Sequence, residues 1–158
     1  MAAIEPESTT IIIGRMLAPA FMVNAAALLL LSLHNKFSTL SARIRALNAE
    51  RRGLRQKPET TEEREANLSR QIQRLVKRLK YVRRAILFHY TGIALCLLTS
   101  FLIVLNTFLK SSIIAGLDIG VFTLGMLSVF LGTVSHLRDV RTAFDAIRLE
   151  APDAFGHK

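Results

Sequence analysis

Four polar side chains lie within or beside long apolar runs of this sequence. They are Arg15, Asn24, Asn106 and Asp118. In hydrocarbon such groups face other helices or a water-filled cavity, and they often mark an ion or substrate path. Arg15 and Asp118 have opposite charges, so a pair across two helices would neutralise both. The alternative is that Arg15 extends to the lipid headgroups while Asp118 lies at the end of its span.

Three histidines, His34, His89 and His136, occur one in or beside each apolar run, near the same predicted interface. Three imidazoles could ligate zinc or respond to pH. No carboxylate lies at metal-ligand spacing from them, and histidines are common side chains at membrane interfaces, so we expect no metal site. The sequence also contains no phosphate loop, hydrolase elbow or metalloprotease motif. We therefore expect no catalytic residues, no cofactor and no enzymatic activity.

Three runs of apolar residues carry these side chains. Met16 to Leu33 spans 18 residues without a charge, Ala85 to Leu109 spans 25, and Ser111 to Leu137 spans 27 with one acid. A helix needs about 20 mostly apolar residues to cross the hydrocarbon of a bilayer. The sequence predicts an all-α integral membrane protein whose three transmembrane helices cover 11–33, 85–109 and 111–137.

The charges predict how the chain is oriented in the membrane. Residues 34–84 contain 15 Lys or Arg against 5 Asp or Glu, whereas residues 1–10 contain two acids and no base. Basic segments stay on the cytoplasmic side, so we expect the N-terminus outside and residues 34–84 and 138–158 in the cytoplasm. An N-terminus without a base is also unlike a cleaved signal, so the first span is expected to be retained. The net charge of +9 then indicates topology and attraction to anionic headgroups, and no specific nucleic-acid binding is expected.

Residues 34–84 are predicted to form a cytoplasmic antiparallel coiled-coil hairpin. Its apolar residues recur every 3 or 4 positions, which is the spacing of a coiled-coil seam. A polar break, Gln56 to Glu63, separates the two arms, and Thr60 with Glu63 matches a helix capping box. The predicted seam residues are Leu33, Phe37, Leu40, Ile44, Leu47 and Leu54 on the first arm and Leu68, Ile72, Leu75, Leu79, Val82 and Ile86 on the second.

Two further patterns predict helix contacts. The first is a seam of small residues on the third span, Gly125, Ser128, Gly132 and Ser135, at which another helix can lie close. Asn24 should likewise point inward to a neighbouring helix, and both features favour a homo-oligomer. The second pattern is the apolar edge of an amphipathic helix after the third span, which should dock on the base of the hairpin. Its members are Leu137, Val140, Phe144 and Ile147.

Two stretches carry a resemblance to a known family. One starts at Arg15 with an early proline and a leucine-rich run and ends in the polar segment Ser41 to Leu47, and the other is VFLGTVSHLRDVRTAF. They resemble a bacterial family of small membrane proteins, the domain-of-unknown-function family 2721. The resemblance implies a bacterial inner-membrane location and carries no activity with it.

The sequence favours a non-enzymatic, homo-oligomeric scaffold or interaction protein that uses its hairpin to contact headgroups or a cytoplasmic protein partner. One alternative is an ion channel or small-solute transporter with a path lined by the intramembrane polar residues. Another is a membrane-protein insertase or assembly factor. The order of three spans with a cytoplasmic hairpin after the first is similar to the plan of Oxa/YidC-type insertases, which is a likeness of architecture only.

Overall fold

The computed structural model describes residues 6–55 and 62–150, and these residues form three α-helices. They are α1 (Pro6–Arg55), α2 (Glu62–Leu109) and α3 (Ser112–Glu150). Each is long and apolar enough to cross a membrane, so the predicted all-α fold with three candidate spans is confirmed. The predicted capping residue Thr60 and the C-terminal tail lie outside the described residues.

The helix ends follow from local chemistry. The first turn of α2 contains Glu62, Glu63 and Glu65, whose negative charges are favourable at the positive end of the helix dipole. At the other end of α2, Lys110 adopts a left-handed backbone with φ of 47° and donates its N–H to the Asn106 carbonyl at 2.8 Å. This conformation closes the helix and allows α3 to begin two residues later.

The chain divides into two compact units, and each helix contributes to both. Unit 1 consists of Met1–Leu31 and Ile86–Gly132, and unit 2 consists of Ser32–Ala85 and Thr133–Lys158. The helices are longer than a single membrane crossing requires. Helix α1 has 50 residues, more than twice the roughly 20 residues of one transmembrane span.

In unit 1, α2 and α3 approach closely at glycines. A Cβ on Gly92 would collide with Val129 Cγ2 and lie 3.2 Å from the Gly125 carbonyl oxygen, so only glycine fits there without a shift. One turn from Gly125, the Ser128 hydroxyl donates to the Phe88 carbonyl at 2.7 Å. All four residues of the predicted small-residue seam are buried, and this part of it packs against α2 of the same chain. Its use as evidence for a second copy was therefore wrong.

The predicted seam residues of both arms are buried or half-buried, and all of them except Ile86 lie in unit 2. Polar contacts also give the direction of the two helices. Glu50 pairs with Arg64 at 3.3 Å, and Lys36 and Arg78 both reach Asp139. Lys36 precedes Glu50 by 14 residues and Arg78 follows Arg64 by 14, so α1 and α2 run antiparallel here.

The start of the amphipathic segment of α3 packs differently from our expectation. Leu137 and Val140 are 50% and 38% exposed, whereas Asp139 is 0% exposed. The predicted apolar edge is therefore not the docked edge at these positions, because α3 turns a carboxylate inward to meet cations of α1 and α2. The side chains of Phe144 and Ile147 lie outside the described part.

Candidate functional site

Unit 1 contains a cavity of about 410 Å³ to which all three helices contribute. Such a volume is within the range of small-molecule sites, which is about 300–1,000 Å³. Most of its wall is apolar, and the polar side chains are few. The lining residues are Arg15, Ala18 and Pro19 of α1, Thr99, Ile103 and Asn106 of α2, and Ala115, Asp118, Ile119 and Phe122 of α3.

Three of the four predicted polar residues, Arg15, Asn106 and Asp118, therefore line one cavity. Arg15 and Asp118 are not joined by a direct ion pair, and the buried Oδ1 of Asp118 receives no hydrogen bond from any described residue. Pro19 lies one turn after Arg15 and has no N–H to donate to the Arg15 carbonyl. Among the described residues, these two opposite charges lie on different helices and have no direct ion pair between them.

The other polar groups of the cavity have structural partners. The Asn106 side-chain oxygen accepts the Ser111 N–H at 3.1 Å, which stabilises the turn between α2 and α3. The Thr99 hydroxyl donates to the Leu95 carbonyl of its own helix at 3.0 Å. For the other two polar side chains of the lining, Arg15 and Asp118, the described residues show no hydrogen bond or ion pair, so these two are the candidates for binding a ligand.

Asn24 is not among the residues that line the cavity. Its side chain is exposed, so our expectation that it points inward in the protomer was wrong. It lies in a stripe of exposed residues at steps of 4, 3, 4 and 3, which we call the outer stripe. The members are Leu17, Phe21, Asn24, Leu28 and Leu31, and the four apolar ones are 48–67% exposed.

The three predicted histidines have different surroundings. His89 in unit 1 is 1% exposed, while in unit 2 His34 is exposed and His136 is half-buried. The Nε2 atom of His136 lies 3.5 Å from the Lys36 ammonium. Among the described residues, no three His, Cys, Asp or Glu side chains are grouped so that they could hold a metal ion.

Unit 2 contains a buried ion cluster that the sequence reasoning missed. The carboxylate of Asp139 on α3 lies 2.7 Å from Lys36 Nζ of α1 and 3.3 Å from Arg78 Nε of α2. Arg78 donates a hydrogen bond, whereas Lys36 contributes mainly Coulomb attraction because its geometry is not that of a hydrogen bond. The only signal in the sequence was an isolated acid, Asp139, in a basic segment, one helical turn after His136.

The cluster joins three helices through one carboxylate, which indicates a structural role. The polar cavity and the outer stripe are the candidate binding surfaces of unit 1.

Comparison with known proteins gives the family of the chain. No curated protein and no solved structure matches it. The sequence profile of one family, described as protein of unknown function (DUF2721), matches residues 16–149. That range covers the outer stripe, the ion cluster and all of the cavity lining except Arg15, and it is the family predicted from the two stretches quoted above. The chain belongs to the DUF2721 family.

Proposed function

We propose that this protein is a non-enzymatic, multi-pass protein of the bacterial inner membrane that self-associates and acts as an interaction scaffold. The observation that carries the proposal is that Asn24, near the middle of the sequence-predicted span 11–33, is exposed. An amide without a partner is costly in hydrocarbon. The described part of one chain provides no side-chain partner for it, so a second transmembrane helix is needed.

The pattern around Asn24 favours a second copy of the same helix. The outer stripe has the spacing of a coiled-coil seam, and one polar Asn at such a seam position sets register and oligomer number. An amide both donates and accepts, so two copies related by a two-fold axis can satisfy each other. Ala20 and Ala27 are also exposed beside the stripe, and small side chains permit close approach of helices.

The proposed topology places unit 2 in the cytoplasm as a coiled-coil hairpin and the N-terminus outside. Support comes from the 15 basic residues in 34–84 and from the seam residues that unit 2 buries. On α1 of this unit, Arg45, Asn48, Arg51 and Arg52 line a depression of about 320 Å³. Its donors suit anionic headgroups or an acidic segment of a cytoplasmic partner.

Cysteine crosslinking tests the proposed interface. In a Cys96→Ser background, Leu28→Cys on the outer stripe should form a disulfide-linked dimer in membranes under mild oxidation. Phe101→Cys is a matched control because Phe101 is exposed to a similar extent but lies outside the outer stripe. Phe101 on α2 is 63% exposed, and Leu28 on α1 is 65% exposed. Equal crosslinking at both positions would indicate random collision and would contradict the proposal.

The role of Asn24 is tested by the dimer dissociation constant in detergent or bilayers. Asn24→Leu should weaken the dimer roughly 5- to 30-fold, since an interhelical hydrogen bond contributes about 1–2 kcal/mol at most. Thr91→Val is the control: Thr91 is exposed too, but its hydroxyl donates to the Leu87 carbonyl of its own helix at 3.0 Å. A dimer that is unaffected by Asn24→Leu would show that another surface is responsible.

The orientation is tested separately with an impermeant thiol reagent on intact cells. In the same Cys96→Ser background, Lys110→Cys should be labelled from outside, whereas Arg52→Cys should react only after the cells are opened. The reverse labelling would overturn the proposed topology without affecting the interface experiment.

A further inference from the structure

The cavity of unit 1 has a combination of charges that one simple ion does not satisfy. Arg15 and Asp118 both line it, are not paired with each other, and lie on different helices. The cavity volume of about 410 Å³ is much larger than the volume of roughly 30 Å³ that one water molecule occupies in the liquid. A ligand that satisfies both groups must present an anion to Arg15 and a hydrogen-bond donor, preferably cationic, to Asp118.

The two groups differ in what they bind best. The planar guanidinium of Arg15 presents several N–H donors that match two oxygens of a phosphate. When it is ionised, the carboxyl group of Asp118 has acceptors and no donor, so an ammonium with N–H groups suits it. Most of the remaining wall is apolar and includes Ile119 and Phe122, which suit the carbon skeleton of a lipid.

We infer that this cavity binds the headgroup of a phospholipid that contains a primary ammonium, as in phosphatidylethanolamine. The phosphate contacts Arg15 and the ammonium donates to Asp118. The cavity lies in the unit formed by the apolar spans, so a lipid can reach it from the bilayer. A choline headgroup has no N–H to donate, and a glycerol headgroup has no positive charge. This inference is independent of self-association.

The experiment measures lipid binding to the purified full-length protein by native mass spectrometry. Three lipids with identical acyl chains are compared: phosphatidylethanolamine, phosphatidylcholine and phosphatidylglycerol. We expect the first to bind about tenfold more tightly than the other two, since a hydrogen bond to a charged group contributes that much. This comparison uses the unmodified chain and does not depend on the folding of any variant.

Two variants then assign the preference to the cavity. Arg15→Gln and Asp118→Asn should each lower the affinity for phosphatidylethanolamine about tenfold and remove the preference over phosphatidylcholine. Lys110→Gln removes an exposed cation that does not line the cavity and should leave the preference unchanged.

Several results would overturn the inference. One is equal binding of the three lipids to the unmodified chain, and another is an unchanged preference in both cavity variants. Soluble O-phosphoethanolamine is included as a competitor to distinguish the source of the ligand. If it displaces the lipid at equal concentration, the cavity binds a free phosphoethanolamine group and the lipid assignment is wrong.

Discussion

Replacement of Asp139 by asparagine should destabilise the protein more than any other single loss of charge in unit 2. The carboxylate is fully buried and is the shared anion of Lys36 and Arg78, at 2.7 and 3.3 Å. The asparagine side chain would keep the shape of the aspartate but not its charge. Two cations from different helices would then face each other without an anion between them.

The magnitude follows from the exposure of the partners. Loss of one member of a fully buried ion pair costs about 3–5 kcal/mol. The side chains of Lys36 and Arg78 are 30% and 21% exposed, so water can solvate the cations that remain. We therefore expect Asp139→Asn to lower the free energy of unfolding by about 2–3 kcal/mol.

The assay is thermal unfolding in a mild detergent, followed by circular dichroism. For chains of about this length, each kcal/mol changes Tm by about 2–4 °C, so the expected decrease is about 4–12 °C. Glu50→Gln is the matched control because it removes the carboxylate of an exposed ion pair with Arg64. The side chains of Glu50 and Arg64 are 45% and 66% exposed, respectively. Such a pair contributes at most about 1 kcal/mol, and Tm should fall by less than about 4 °C.

A second variant separates lost attraction from lost packing. Adding Lys36→Met to Asp139→Asn removes one of the two opposed cations, so part of the stability should return. A change in Tm for Asp139→Asn no larger than that for Glu50→Gln would contradict the buried-charge assignment. So would a further fall in Tm, on adding Lys36→Met, equal to the full cost of Lys36→Met alone.

Two predictions concern the contact of α2 with α3 in unit 1. Gly92→Ala should loosen this contact and lower Tm by several degrees, because its Cβ would collide with the branched Val129 side chain. Gly116→Ala is the control, since a Cβ there meets no other described part of the chain within 4 Å beyond its own stretch of helix. Ser128→Ala removes a hydrogen bond to α2 and should cost about 0.6 kcal/mol. Thr123→Val should cost less because Thr123 bonds only within α3, and equal losses in unfolding experiments would contradict this assignment.

Patterns within single helices allowed most of the fold to be predicted. The apolar runs predicted three helices that can span a membrane. This prediction only compares the length of each run with the thickness of the bilayer, so it needs no information about tertiary contacts. The heptad positions of residues 33–86 likewise predicted the side that each arm buries in unit 2. What failed were predictions about which helix faces which. The seam around Gly125 was assigned to a second copy, although α2 of the same chain occupies it.

The candidate site was less predictable for the same reason. Arg15 and Asp118 could be named from their cost in hydrocarbon, but that they share a cavity depends on how the helices are rotated. Asp139 was missed because a single acid in a basic segment resembles an ordinary solvated residue. Its burial depends on Lys36 and Arg78, which are distant from it in sequence.

The strongest reason to assign a binding role to Asn24 comes from comparing the two sides of α1. One series of buried and half-buried residues on this helix keeps a single heptad phase: Met16, Pro19, Val23, Ala26, Leu30, Leu33, Phe37, Leu40, Ile44 and Leu47. The outer stripe, continued at the same steps, is exposed both up to Leu31 and beyond it, but it changes in chemistry. It is apolar except for Asn24 up to Leu31, and from there it reads Asn35, Ser38, Ala42 and Arg45.

The change from apolar to polar residues falls between Leu31 and Asn35. Such a change is expected where a helix passes from hydrocarbon into water. Lipid alone explains why the apolar members of the outer stripe are apolar, and water alone explains why the later members are polar. Neither explains an amide at Asn24, two turns inside the apolar part. A helix that faced only lipid would be more stable with leucine there. If Asn24→Leu raises stability and leaves crosslinking through Leu28→Cys intact, the outer stripe is a lipid-facing surface; if it abolishes crosslinking, the amide is retained for self-association.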